Sequence, residues 1–122
     1  VSYRLARRTR SRIGTGMNEK LTTLLDELRQ GLEELYGERF VQLILFGSQA
    51  RNEATEDSDI DVMVVLRGKV SPGDEIFRMG SLVNDLSLEY DELIAAFPIS
   101  ELDFEQRKSS FMNNVRREGI TV

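Results

Sequence analysis

The stretch LILFGSQARNEATEDSDIDVMVVL, residues 43–66, places two hydrophobic runs around a polar segment, with acids where the second run begins. An ionised carboxylate is costly to bury without a partner, so acids at the start of a buried strand need an explanation. Asp59 and Asp61 are two residues apart, and residues i and i+2 of an extended strand face the same side. The spacing is therefore that of two carboxylates that can share a cation, although taken alone it is more typical of a solvated acidic turn.

The composition limits which cation and which chemistry this pair can serve. The chain has 122 residues, enough for one domain with one core, and no apolar run reaches the roughly 18 residues that cross a bilayer. Histidine and cysteine are both absent, which excludes Ser-His-Asp and Cys-His catalysis, disulfides, and zinc bound by histidine or thiolate. Carboxylates and hydroxyls remain, and they suit magnesium, manganese or calcium. The lack of cysteine fits a reducing compartment, so we expect a cytoplasmic protein with no membrane partner.

The net charge of −5 is unevenly distributed along the chain. Residues 1–16 hold five arginines and no acid, which leaves 11 basic against 21 acidic residues in the remainder. An acidic body argues against contact with a phosphate backbone, so nucleic acid is not an expected partner. The basic arm is predicted to be disordered, with binding to an acidic partner or to nucleic acid as the alternative.

Hydrophobic periodicity predicts one domain over residues 17–122, in which helices alternate with strands. Leucines at helical spacing follow Asn18, a plausible cap, and Gly37 is a plausible stop. The run after Asp61 is apolar throughout, which predicts a strand buried on both faces. The predicted order is helix, strand, strand, helix, strand and helix, over residues 18–36, 39–46, 59–66, 74–90, 92–100 and 109–118, with a short strand at the end.

The Gly-Ser pair at the end of the first strand has the chemistry of a phosphate-binding corner. Gly47 allows a sharp turn and a close backbone approach, and successive amides at such a turn can bind an anion. Ser48 adds a hydroxyl donor, and a helix that begins near Ala50 would direct its amides to the same place. Taken alone the pair is weak evidence, because Gly-Ser after a strand is common and is usually a simple turn.

A calcium-binding EF-hand is the competing metal motif, because acids also occupy positions 1, 3 and 5 of a loop that starts at Asp57. The sixth position of such a loop is glycine and the twelfth is glutamate, whereas this chain has Val62 and Gly68 there. The residues after Asp61 also read as a strand. We therefore exclude an EF-hand.

The combination of Gly47-Ser48, ten intervening residues and Asp59-x-Asp61 between two apolar strands resembles the minimal nucleotidyltransferases of the DNA polymerase beta-like superfamily. The segments GSQAR and SDIDV both resemble the sequence motifs of that family, and the resemblance extends over residues 18–122. It implies an α+β fold with a small mixed sheet flanked by helices. It also implies transfer of a nucleoside monophosphate, with ATP as the expected donor and Mg²⁺ or Mn²⁺ as the cofactor.

The resemblance assigns roles to individual residues of the opening stretch. Asp59 and Asp61 are the expected catalytic residues and metal ligands, and Gly47 and Ser48 are expected to hold the triphosphate. Arg51 lies where it could reach the phosphates, or it forms a surface ion pair with Glu53 or Glu56. Ser58 either contacts the triphosphate or is a turn residue, and the second is the expectation that the residues alone favour.

The chain departs from the family pattern at two places. Active members carry a third carboxylate on a later strand, and the centre of the corresponding strand here, residues 93–97, has no acid. Three acids just before it, Glu89, Asp91 and Glu92, are candidates if the register is shifted, or they form a solvated helix end. Asn52 stands where many relatives have glycine, and asparagine tolerates left-handed backbone geometry.

These features support three functional hypotheses. The first is a metal-dependent nucleotidyltransferase that modifies a partner protein, since small members of this family resemble the antitoxin half of a module whose other half is a HEPN-type ribonuclease toxin. The second is a catalytically degenerate antitoxin that neutralises its partner by contact. The third, a small-molecule transferase of the aminoglycoside-modifying type, is disfavoured because those enzymes add further domain structure. Homo-oligomer formation stays open.

Overall fold

A computed structural model describes residues 18–55 and 57–122. The predicted arm, residues 1–16, lies outside the described residues. The helices are α1 (Glu19–Tyr36), α2 (Gly47–Ala50), α3 (Pro72–Tyr90), α4 (Glu101–Gln106) and α5 (Ser110–Glu118), with a 3-10 turn at Gly37–Arg39. The strands are β1 (Phe40–Phe46), β2 (Ile60–Leu66), β3 (Ile94–Ser100) and β4 (Ile120–Thr121).

The first helix forms as its sequence predicts. The Asn18 side chain accepts a hydrogen bond from the backbone N–H of Leu21 at 2.6 Å, which caps the amino end of α1. Gly37 ends the helix with a positive φ of 57°. The buried side chains of α1 recur at helical spacing and pack on the sheet, namely Leu21, Leu24, Leu25, Leu28, Leu32 and Tyr36.

The four strands form one mixed sheet in the order β3-β2-β1-β4. β1 is antiparallel to β2 and to β4, whereas β2 and β3 run parallel. β2 is therefore central, and its residues from Val62 to Leu66 are all buried, which confirms the prediction of a strand buried on both faces. This arrangement places the carboxyl end of β1 beside the amino end of β2.

The two faces of the sheet carry separate hydrophobic cores. On the first face, alternate residues of β2 such as Val62 and Val64 pack with α1 and α3. On the second face, Met63 and Val65 pack with Met112 and Val115 of α5. Asp61 is two residues before Met63 on the same strand, so its side chain belongs to the second face.

Two helices differ from the sequence prediction. The helix expected near Ala50 begins at Gly47 instead and ends at Ala50, because the strand turns directly into it. The six-residue helix α4 was not predicted, since it directly follows β3 without a glycine or proline to mark the boundary. The Ser100 hydroxyl accepts from the N–H of Asp103 at 3.0 Å, and this Ser-x-x-Asp cap is the signal that could have located α4.

A buried polar cluster fastens the end of α1 to the start of α3. The Tyr36 hydroxyl donates to Glu75 Oε1 at 2.9 Å, and Arg39 Nη2 lies 3.3 Å from Glu75 Oε2. Glu75 is only 4% exposed. Burial, with the adjoining Glu75 carboxylate, raises the pKa of Tyr36 and keeps the hydroxyl protonated as the donor.

Tyr36→Phe is expected to destabilise the fold by about 1–3 kcal/mol, because it leaves a buried carboxylate oxygen without its hydroxyl donor. Urea denaturation followed by circular dichroism measures the free energy of unfolding. The double variant Tyr36→Phe, Glu75→Gln should lose less free energy of unfolding than the sum of the two single variants, because both partners of the hydrogen bond are changed together. A loss below about 0.5 kcal/mol for Tyr36→Phe would contradict this role.

Candidate active site

Gly47 forms the corner between β1 and α2, and its lack of a side chain is required there. The residue has a φ of 75°, in the left-handed region that favours glycine. A Cβ atom on Gly47 would lie 2.5 Å from the Oδ2 atom of Asp61. The Asp61 carboxylate therefore occupies the space that a side chain at the corner would need. The predicted phosphate corner therefore lies against Asp61, one member of the predicted acid pair.

The two predicted acids also lie close enough to influence each other. Asp61 stands opposite Phe46 in the antiparallel pairing of β2 with β1, immediately before the Gly47 corner. Burial raises the pKa of Asp61, the negative charge of Asp59 raises it further, and the positive charge of Arg51 opposes both effects. Two neighbouring carboxylates whose charges repel form a donor set that a divalent cation would stabilise. Magnesium takes one or two carboxylates together with water and phosphate oxygens, so Asp59 and Asp61 fit this ion.

The raised pKa of Asp61 predicts that Asp61→Asn stabilises the metal-free protein at neutral pH. Below the ordinary value of 3.8 the carboxyl is protonated in both the folded and unfolded states, so the variant gains little. Between that value and the raised folded pKa, the unfolded chain ionises Asp61 while the folded protein keeps it protonated, so the folded state loses stability relative to the unfolded state. Above the folded pKa this loss is complete, and the advantage of the variant has its full size. Thermal melting in a chelating buffer from pH 3 to pH 8 measures this. A higher melting temperature for the wild type at pH 7 would contradict it.

The loop between α2 and β2 is held by local hydrogen bonds. The Ser48 carbonyl accepts from the N–H of Glu53 at 2.9 Å, and Asn52 takes a left-handed φ of 58°, the geometry that asparagine was expected to tolerate. The Ser58 hydroxyl oxygen accepts from the N–H of Thr55 at 2.9 Å. In this structure Ser58 therefore stabilises the turn, which is the role that the residues alone favoured over a contact with the triphosphate.

Arg51 follows the corner, and its positive charge acts on Asp61. Its Nε donates to Glu53 Oε1 at 2.9 Å, and its Nη1 lies 3.6 Å from Glu118 Oε1 at the end of α5. The hydrogen bond to Glu53 raises the pKa of the guanidinium. The ion pair with Glu53 is the alternative that the sequence left open, while Glu56 lies outside the described residues. The same guanidinium also lowers the pKa of Asp61 through its charge, so Arg51 is close enough to act on Asp61 while it is paired with Glu53.

The three acids proposed as a third carboxylate do not form one group with the pair. Glu92 makes an ion pair with Lys20 at 2.9 Å, and Asp91 ends α3 in a left-handed conformation. A cavity of about 480 Å³ has Asp59, Asp91 and Glu92 in its lining. Within residues 18–55 and 57–122, no three or more acids, histidines or cysteines are grouped so that they could hold a metal ion together. Glu89 therefore does not complete a metal site with the acid pair either.

The position beside Asp61 on the parallel strand β3 is Ala95, its register partner. Neighbouring Ile94 and Ala96 face the first core, so Ala95 faces the second face together with Asp61. A third carboxylate in register with the pair would stand there, and the chain has a methyl group instead. The shift in register that would have brought Glu92 to this place does not occur.

Aromatic side chains form a cluster around Phe46, the register partner of Asp61. The Phe46 ring lies 5.6 Å from the Phe97 ring of β3 and 5.6 Å from the Phe111 ring of α5. Phe97 and Phe111 are 43% and 49% exposed. The sequence analysis missed this cluster and also Glu118, because both depend on contacts between segments that are distant along the chain.

The match to a family model decides the identification. Residues 25–117 match the model described as nucleotidyltransferase domain, which is more than half of the chain. The chain belongs to this nucleotidyltransferase family. The matched range contains the Gly47 corner, the acid pair and α5 up to Arg117.

Two relatives from Methanocaldococcus jannaschii agree with this membership. One, named "Putative protein adenylyltransferase MJ0604", is 37% identical over 105 residues that cover 84% of this chain and 96% of the relative. The other, named "Putative protein adenylyltransferase MJ1305", is 39% identical over 75 residues that cover 61% of this chain and 49% of the relative. Both proteins are therefore similar to this chain at the level of sequence.

A solved structure supports the fold. The chain resembles the crystal structure of "a putative nucleotidyltransferase from Sulfolobus solfataricus" with a TM-score of 0.54 and 16% identity. The similarity covers 88% of this chain and 90% of that one. The predicted α+β fold with a small mixed sheet is thereby confirmed.

None of the helices in the described part of the chain has the length and apolar character to cross a membrane.

Proposed function

We propose that this protein transfers AMP from ATP to a partner protein, in a reaction that depends on Mg²⁺ or Mn²⁺ at Asp59 and Asp61. The observation that carries the proposal is the contact between the Gly47 corner and the Asp61 carboxylate, only 2.5 Å from the place of a Gly47 Cβ. A triphosphate seated on the corner would have its α-phosphate beside the acid pair. The names of the two Methanocaldococcus relatives favour protein as the acceptor and adenylyl as the group.

Each residue of the corner has a role in this proposal. The backbone amides after Gly47 and the Ser48 hydroxyl bind the triphosphate oxygens as hydrogen-bond donors. Arg51 neutralises charge on the departing pyrophosphate, for which its guanidinium is suited by its permanent charge and several donors. Asp59 and Asp61 hold the metal, which when bound would activate the attacking oxygen and stabilise the leaving one. The acceptor hydroxyl oxygen forms the new bond to the α-phosphorus while the bond from that phosphorus to the α,β-bridging oxygen breaks, so pyrophosphate leaves with the electron pair and the hydroxyl proton passes to solvent.

The partner that we propose is a HEPN-type toxin of the same two-gene module. The described part of the chain, residues 18–55 and 57–122, has the size of one sheet with its helices and contains no separate acceptor-binding domain. A macromolecular partner that brings its own binding surface fits this size. The antitoxin role rests on the family resemblance of the GSQAR and SDIDV segments.

Labelled ATP tests the transfer. With magnesium and the partner toxin, ATP labelled at the α-phosphate should label the partner, whereas ATP labelled at the γ-phosphate should not. The double variant Asp59→Ala, Asp61→Ala should label nothing while it keeps the circular dichroism spectrum of the wild type. Labelling by the γ-labelled nucleotide alone would indicate phosphoryl transfer and contradict the proposal, as would equal labelling by both nucleotides, which indicates retention of intact ATP, or labelling by neither.

One observation favours the second candidate, a degenerate antitoxin that acts by contact. Ala95 occupies the register position beside Asp61 where a third carboxylate would stand. If the Asp59→Ala, Asp61→Ala variant restores growth of cells that express the toxin as fully as the wild type does, contact alone is sufficient. If the variant fails to restore growth although it still binds the toxin, the enzymatic function is required.

A further inference from the structure

The Arg51 side chain forms ion pairs with two glutamates, Glu53 and Glu118, whose side chains differ in exposure. Glu53 is two residues away in the same loop, and its side chain is 65% exposed. Glu118 is the last residue of α5, and its side chain is 34% exposed. The contact with Glu53 moves with the loop, whereas the contact with Glu118 ties the loop to the far end of the chain.

The position of Glu118 is set by the sheet itself. Directly after it, β4 pairs with β1, with Ile120 opposite Leu45. A Cβ atom on Gly119 would lie 2.5 Å from Ile44 Cγ2 and 2.5 Å from the Val115 carbonyl, so the chain passes closely over β1. β1 also ends in the Gly47 corner. The same strand therefore fixes both the corner and the glutamate that reaches Arg51.

Neighbouring contacts direct the two oxygens of Glu118 to different partners. Its Oε1 faces Arg51 Nη1, and its Oε2 lies 3.4 Å from Arg117 Nη2. Arg117 in turn donates to Asn114 Oδ1 at 2.7 Å. On the other side, the Arg51 backbone N–H donates to the Gly47 carbonyl at 3.2 Å. The guanidinium is thus restrained by the corner at its backbone and by α5 at its tip.

We propose that Glu118 is a positioning residue that holds the Arg51 guanidinium at the mouth of the acid pair, ready to contact an incoming nucleoside triphosphate. Glu53, the more exposed partner, is the carboxylate that the phosphate displaces, while the contact with Glu118 persists. This inference rests on the proposed function, because it requires the triphosphate to bind at the Gly47 corner. It extends the site to the C-terminal helix.

The test is a double-mutant cycle on binding of magnesium and α,β-methylene-ATP, measured by titration calorimetry. Glu118→Gln should weaken binding about 3- to 30-fold in the wild-type background and have no such effect in an Arg51→Ala background. Its melting temperature should stay close to that of the wild type. In the transfer assay the variant should raise KM for ATP with little change in kcat.

Glu101→Gln is the matched control, since Glu101 forms a comparable exposed pair with Arg67 at 3.9 Å, away from Arg51. This control should bind the analogue as tightly as the wild type. Unchanged or tighter binding by Glu118→Gln, or an equal loss with and without Arg51, would overturn the positioning role alone. Failure of the wild type to bind the analogue would overturn this inference and the proposed function together.

Discussion

Asp61→Asn is expected to reduce the rate of AMP transfer by about 10³-fold or more, because it removes one of the two charges that hold the divalent ion. The asparagine side chain keeps the shape of the aspartate, so the space beside the Gly47 corner stays filled. Asp59→Asn should have a loss of similar size. Initial rates of labelling of the partner by α-labelled ATP, measured over a range of magnesium concentrations, test this.

Asp85→Asn is the control for this loss, since Asp85 is exposed on α3. The control should transfer AMP at the wild-type rate. Asp61→Asn should also be at least as stable as the wild type at neutral pH, because the raised pKa of Asp61 reflects a cost of burying its charge. A fall in activity without a fall in stability separates loss of chemistry from loss of folding. An Asp61→Asn rate within about tenfold of the wild type would contradict the assigned role.

Gly47→Ala is expected to damage the site more than the fold. A positive φ costs a non-glycine residue about 1–2 kcal/mol. The added methyl group would also meet the Asp61 carboxylate at 2.5 Å and displace it. A displacement of about 1 Å at a reacting centre can cost about 100-fold in rate, so we expect a loss of at least that size.

Gly68→Ala separates these two effects. Gly68 has a comparable φ of 83°, and a Cβ atom there would meet nothing within 4 Å. Both variants should therefore lose a similar free energy of unfolding from backbone strain, as measured by urea denaturation. Only Gly47→Ala should lose transfer activity per folded molecule. Equal activities for the two variants would show that contact between the corner and Asp61 is not needed for transfer.

Local patterns in the sequence were sufficient to predict most of the fold and the residues that form the candidate site. The i, i+2 spacing of Asp59 and Asp61 needs only strand geometry to bring the carboxylates together. The Gly47 turn and the apolar run after Asp61 each depend on a few adjacent residues. The pairing of β1 with β2 then brings the corner to Asp61, and this juxtaposition follows because strands that are consecutive in the chain commonly lie side by side in the sheet.

The features that the sequence analysis missed depend on contacts between distant segments. Glu118 reaches Arg51 only because β4 returns to pair with β1, and no local pattern encodes that return. The Phe46, Phe97 and Phe111 cluster likewise joins three separate elements. The search for a third carboxylate required the register of β3 against β2, which places Ala95 beside Asp61. Side-chain alternation alone does not determine that register.

A crystal structure with magnesium and α,β-methylene-ATP tests the central claim most directly, namely that the acid pair and the glycine corner form one nucleotide site. We predict magnesium about 2.1 Å from carboxylate oxygens of Asp59 and Asp61, with the triphosphate on the Gly47 and Ser48 amides. The competing location is a cavity of about 630 Å³ whose lining includes Asn18, Lys20 and Gln49. A triphosphate bound in that cavity, with no metal at Asp59 and Asp61, would contradict the account.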